Sequence, residues 1–545
     1  MRSVRERRSL FLRKSVGLKR SLTVHDLFVF SALSISLSPT CFIISSLIPM
    51  YTPCGSLIPA IIVSFPITIV GVAVYCILSY MMPKTGGEYI WQTRILSKPV
   101  AYALNFCRWI ATPIIAGSIY GEIVNNSFLI PVLICLYKAL NDKKLLDLTF
   151  WFSSKDGVFV SIILVVGFSF ILSVLSVKNY GKIMKILFYG GLFGTLIITT
   201  ICFLTPKFMF VNAFNDVWSK IIQYNSGVKL NYLDIITEAS KRNPKMFQPL
   251  ENALYIVDLQ AISIVSLWNL HLYWGTSFSG EIKKPISLKN LFLAFSLGGI
   301  IMNTLAIVLL PQIWRFMGYE FYQAISYLYW ASDSLSPLYP YPPLLITLHL
   351  DPWFSLVIIF LVGMWVFGWI GMFIPPASRV VFAMAFDRTL PKEFGEIRKD
   401  LRSPLNASLL LASLTLFFGW IRLYTPLSNY IGGILIPLFL TYMGTGLTAI
   451  LLPYTKPVFY SRKSPIKHGG GKLLLVMCGL IFTAYIMLVI LTLAINLMYR
   501  VENPLQFSYL LTSFLTAIVI YYWYKWNLKR RRIDLTAIYK RLPPE

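Results

Sequence analysis

Twelve runs of about twenty predominantly apolar residues divide this chain, and no other feature limits its fold as strongly. A helix needs about 20 apolar residues to cross the hydrocarbon core of a bilayer. The runs lie at 24–50, 56–82, 100–124, 157–177, 183–204, 254–278, 291–314, 353–386, 405–423, 430–453, 473–498 and 505–526. Strands of a membrane barrel would be short and alternating, and these runs are neither. The sequence therefore predicts an all-α polytopic membrane protein with about 12 transmembrane helices. Composition agrees: 56% of the 545 residues are hydrophobic and 13% are charged, where a soluble domain carries about a quarter. An ordinary soluble enzyme and a disordered chain are excluded.

The net charge of +26 would suggest nucleic acid in a soluble protein. Here its distribution explains it. About 35 of the 49 basic residues fall on segments that twelve spans place on one side, and basic flanks favour the cytoplasm. Eight of them precede the first span: Arg2, Arg5, Arg7, Arg8, Arg13, Lys14, Lys19 and Arg20. The following apolar run is too long for a signal peptide and lacks a clear cleavage site. The expectation is a multi-pass protein of the cell membrane with both termini cytoplasmic, partnered by the lipid bilayer and by no nucleic acid. The cysteines Cys41, Cys54, Cys76, Cys107, Cys135, Cys202 and Cys478 are scattered, with no CxxC pair. Neither a metal site nor a disulfide framework is expected.

Two spans are interrupted. The first contains Ser34-Ile35-Ser36-Leu37-Ser38-Pro39-Thr40, where Pro39 lacks an amide and clashes one turn back. The sixth contains Ser266 through Gly275, with Asn269, His271 and a glycine at mid-membrane depth, costly unless they face a cavity or a partner. Interruptions at matching places in two halves are the best sequence pointer to a transporter's central site.

The loops carry a resemblance. Pro83-Lys84-Thr85-Gly86-Gly87-Glu88-Tyr89-Ile90-Trp91 resembles the P-x-x-G-G-x-Y-x-W signature after span two of amino acid permeases in the amino acid–polyamine–organocation superfamily. Gly280-Glu281-Ile282-Lys283-Lys284-Pro285 is similar to the signature after span six, with Lys284 for the usual Asn. Ser378 through Pro391, S-R-V-V-F-A-M-A-F-D-R-T-L-P, is similar to the one after span eight. All three fall in order on one side. The ending Ile538–Glu545 resembles archaeal members.

The resemblance implies a LeuT-type fold of two inverted five-helix repeats with two extra C-terminal helices. The expected organisation is a basic tail 1–23, a first repeat 24–204, an extracellular loop 205–253, a second repeat 254–453, spans eleven and twelve with their preceding loop 454–526, and a basic tail 527–545. It also implies an amino acid substrate, its carboxylate on free amides of span one and its amino group on carbonyls of spans one and six. The helix physics agrees, because a half-helix N-terminus offers unpaired N–H groups and a positive dipole end. Carried over, the family's I-G-S-G-I falls on Ser36-Leu37-Ser38-Pro39-Thr40, so two glycines are replaced. Leu37 narrows backbone access and Pro39 contributes no amide, which leaves Ser38 and Thr40 as amide donors and Ser36 as a carbonyl. In span six the unwound stretch falls on Trp268 to Tyr273. The substrate-binding expectation is Ser36, Leu37, Ser38, Thr40, Trp268, Asn269, His271 and Tyr273.

No cofactor is expected; a proton or sodium gradient is the coupling ion. Some relatives use a lysine midway along span five, which falls here near Gly191, while Lys182 and Lys185 lie at the membrane edge. His271 is the coupling candidate, because imidazole titrates near neutrality. Acidic residues avoid mid-span, and Trp268, Tyr273 and Trp274 favour a neutral or apolar amino acid. Arg108 in span three could instead meet an anionic side chain. Alternatives are a polyamine or other organocation transporter of the same fold, a membrane-embedded transferase using His349, Asp333 or Asp351, and a non-transporting sensor. There is no G-x-x-x-x-G-K-[ST] loop for ATP.

Overall fold

The computed structural model describes residues 17–18, 20–51, 57–244, 259–283, 286–330, 338–398, 402–426, 435–466, 470–495 and 504–543. Outside these lie Cys54, Asp258, Asp333, His468, Lys284-Pro285, and the tail residues Arg2, Arg5, Arg7, Arg8, Arg13, Lys14 and Lys19. Every named element is helical; the sole bridge among the described residues pairs Leu22 with Ile282. Ten helices among the described residues are long and apolar enough to cross a membrane. The other two expected spans, at 254–278 and 505–526, are helical over Leu259–Asn269 and Pro504–Arg530. The chain is an all-α polytopic membrane protein.

The first span is two helices, α1 (Val24–Ser34) and α2 (Phe42–Tyr51), joined by a wide turn over Leu37–Cys41. A capping box starts α1: the Thr23 amide donates to Asp26 at 2.7 Å and the Asp26 amide to Thr23 at 3.3 Å. Next come α3 (Leu57–Met81), a short α4 (Glu88–Ile95), α5 (Lys98–Ile115), α6 (Lys155–Val174) and α7 (Val177–Leu204). Span six is α8 (Leu259–Asn269), which tightens into a 3₁₀ turn over Leu270–Glu281. Then follow α9 (Leu288–Met317), α10 (Tyr319–Trp330), α11 (Pro352–Gly371) and α12 (Ile374–Phe386). After a further span over Leu405–Tyr424, the chain closes with α13 (Leu435–Thr455), α14 (Gly471–Ile495), α15 (Pro504–Arg530) and α16 (Leu535–Tyr539). Broken span one lies at the centre, with α1 against α7, α9 and α11.

The segment expected as a loop at 205–253 is ordered as helices through Arg242. Phe210, Phe214, Trp218 and Tyr232 are buried there, and Tyr232 stacks on Phe321 of α10 at 4.4 Å. Asp234 closes a capping box with Asn231. Of the transferase candidates, Asp351 caps α11, accepting from the amides of Trp353 and Phe354 at 3.0 Å each.

Candidate functional site

Pro39 sets the geometry of the break. In a continuous helix the amide of residue 39 would bond the carbonyl of Ile35, and proline has none. The chain leaves the helix at Ile35 (φ −114°, ψ 40°) and is extended at Ser36 (φ −52°, ψ 143°). The orphaned Ile35 carbonyl accepts a hydrogen bond from the Trp268 indole N–H at 2.6 Å. The two broken spans thus meet through the group that the proline frees. The Ser36 hydroxyl donates to the Trp365 carbonyl of α11 at 3.0 Å, and the Thr40 hydroxyl turns back onto the Ser36 carbonyl. The Ser38 hydroxyl pairs with that of Tyr341 at 2.5 Å. Leu37 is buried. Leu37 and Ser38 begin the second half-helix, where amides have no intrahelical partner.

The expected span-six residues divide between two faces. Trp268 alone joins the span-one break by a side-chain hydrogen bond. Asn269 forms a reciprocal amide pair with Asn303 of α9, at 3.1 and 2.9 Å. His271 tilts against Trp274 at 5.0 Å. Tyr273 is turned to α3, α13 and α14: its hydroxyl donates to the Thr68 carbonyl at 2.9 Å and its ring stacks on Tyr75 at 4.3 Å. A tight 3₁₀ turn separates Trp268 and Tyr273 and gives them different neighbours.

Four residues that the sequence did not single out complete the surroundings. Tyr341, Trp365 and Asn303 are buried around the break. The Trp365 ring occupies the space beside Gly191, where a Cβ would lie 2.7 Å from it, and its N–H donates to Thr195 at 2.8 Å. Tyr322 of α10 bonds Ser45 at 2.5 Å, fastening α10 to α2. An amide inside the apolar run of α9 was the one available signal, for Asn303.

All the buried charged side chains among the described residues are Asp26, Glu88, Arg94, Arg108, Glu281, Arg379 and Asp387, and each has an opposite partner. Lys185 reaches Asp26 at 2.7 Å, so this lysine does more than anchor at the interface. Arg108 is paired with Glu88 and lies 5.4 Å over the Tyr442 ring. Arg379 holds Glu281 through two contacts at 3.1 and 3.3 Å. Arg94 holds Asp387 at 2.6 and 2.8 Å.

These pairs lock the three sequence motifs into one cluster at the basic end of the bundle. Glu281 of the second motif meets Arg379 of the third, and Asp387 of the third meets Arg94, three residues past the first. Gly86 (φ 90°) and Gly87 (φ 39°) hold a conformation that side chains resist. The Gly86 amide donates to the Ser277 carbonyl at 3.0 Å. A Cβ on Gly87 would sit 2.9 Å from the Thr276 carbonyl, and one on Gly86 would strike Ala383.

A polytopic helical bundle with two interrupted central spans and three interlocked loop motifs has the architecture of a membrane transporter. The chain belongs to the amino acid permease family, whose model matches residues 27–523. No curated protein matches it. A family of permeases makes this chain a transporter of amino acids rather than an enzyme, acting on a small-molecule substrate in a membrane.

Proposed function

We propose that this permease carries neutral or apolar amino acids across the cell membrane by alternating access, with the substrate at the break of spans one and six. The observation that carries this is the charge ledger of the interior. Every buried carboxylate among the described residues has a cationic partner, and every buried guanidinium has an acidic one. An unpaired buried charge is costly, so a polyamine or a lysine side chain would need a carboxylate taken from an existing pair. A zwitterion adds no net charge. Its carboxylate suits the amides that open the second half-helix at Ser38 and Thr40, with the Ser36 carbonyl as the proposed ammonium contact. Trp268 is the proposed span-six contact, while Asn269 and Tyr273 tie span six to α9 and α3 from behind.

His271 is the proposed coupling group, through proton exchange, and sodium remains the other ion to be tested. The basic end is the proposed cytoplasmic face, with both termini on it. Residues 24–204 and 254–453 are the proposed inverted repeats, followed by two further helices. Uptake of labelled leucine into proteoliposomes tests the reading, under imposed proton or sodium gradients. Leucine and phenylalanine should compete with one another. Strong competition by arginine or putrescine alone would overturn it.

A further inference from the structure

The chain does not end at its last span. At Arg530 α15 stops in a sharp reversal: the Arg532 amide donates to the Lys529 carbonyl and the Ile533 amide to the Leu528 carbonyl, both at 2.9 Å. Arg532 takes φ 56°, a left-handed position normally given to glycine. The chain then forms α16, capped by Asp534, which accepts from the Thr536 amide at 2.8 Å. A five-residue helix is far too short to hold itself in water, so its order comes from what it docks on.

It docks on the motif cluster. Leu535, Ile538, Tyr539 and Pro543 are buried, whereas Asp534, Lys540 and Arg541 face outward. The Tyr539 hydroxyl lies 3.3 Å from that of Tyr89, and Tyr89 in turn lies 3.4 Å from Thr389. The Arg94 guanidinium sits 5.3 Å over the Tyr539 ring and donates to the Arg541 carbonyl at 3.3 Å. That same guanidinium grips Asp387. Pro543 closes a crevice with Thr85 and Ile90 from the first motif region and Phe382 and Phe386 from the third. The tail therefore bridges two elements, α4 and the end of α12.

We propose that residues 533–543 form an intramolecular latch that holds the motif cluster shut and restrains opening toward the cytoplasm. The inference rests on the alternating-access reading, in which α4 and α12 must separate to release substrate. The latch is small: four buried side chains, a few aromatic contacts and hydrogen bonds on a segment tethered by a single turn. It therefore sets the balance between closed and open forms without locking either.

The reporter is Ser277→Cys, which lies inside the cluster beside Arg108, Trp274 and Val380 and is not among the residues the tail contacts. Maleimide labelling in detergent, taken as the difference from the same chain without the added cysteine, is timed for the full chain, for a chain ending at Arg532, and for a full chain with Tyr539→Ala. Labelling of Tyr224→Cys, exposed at the opposite end, serves as the control. The latch predicts that both tail changes accelerate labelling at position 277 about fivefold, the scale of losing one or two modest contacts, with position 224 unchanged. Equal rates at position 277, or rates rising together at both positions, would overturn it. The readout needs no substrate. Faster labelling without amino acid uptake would keep the latch and remove the transport reading; uptake without faster labelling would do the reverse.

Discussion

The indole N–H of Trp268 donates to the backbone carbonyl of Ile35 over 2.6 Å, and that carbonyl is free because Pro39 cannot bond it. One break is therefore held open by a side chain from the other. Trp268→Phe should leave a buried carbonyl unpaired, at a cost of about 1–3 kcal/mol, read as a lower melting temperature in detergent. Adding Pro39→Ala supplies an amide to Ile35 and should restore stability while abolishing uptake, because the half-helix end is lost. Restored uptake would detach the break from function.

The Asn269–Asn303 pair gives an asymmetric prediction. Asn303→Leu strands a buried amide and should destabilise by about 1–3 kcal/mol, whereas Asn269→Leu with Asn303→Leu should recover most of that loss. Thermal unfolding of the two single variants and the double variant measures it. Additive losses would mean that the amides act independently.

The buried pair Arg379–Glu281 joins two motifs. Removing one charge by Glu281→Gln should cost about 3–5 kcal/mol, since it leaves Arg379 buried and uncompensated. The reversal Glu281→Arg with Arg379→Glu should regain part of it, measured as recovered folded yield and melting temperature. A single change that is neutral would show that the site admits water.

His271 is tested by pH. With His271 as the proton-exchanging group, uptake depends on pH. His271→Gln keeps the hydrogen-bonding capacity without the titration and should flatten that profile. A profile unchanged in shape would move proton coupling to another group.

The helical class, the span positions and the three motifs were legible in the sequence because each depends on local pattern: apolar run length, proline and glycine placement, and fixed spacing. Partnerships between distant residues were not. Arg94–Asp387 and Ser38–Tyr341 join residues separated by hundreds of positions, and nothing local encodes the pairing. Arg108 could be flagged as a charge inside a span, but its Glu88 partner sits in a motif that reads as a turn. Trp268 and Tyr273 read alike as aromatics near a break. Only the pitch of the 3₁₀ turn separates one, bonded to span one, from the other, bonded to Thr68.

That separation provides the most direct test of where substrate binds. Equilibrium binding of labelled leucine to the purified protein is compared for the unaltered chain, Trp268→Phe and Tyr273→Phe. With the site at the span-one break, Trp268→Phe should weaken binding about tenfold, equivalent to roughly 1.4 kcal/mol, while Tyr273→Phe binds as the unaltered chain does. Binding lost with Tyr273→Phe and kept with Trp268→Phe would contradict the account.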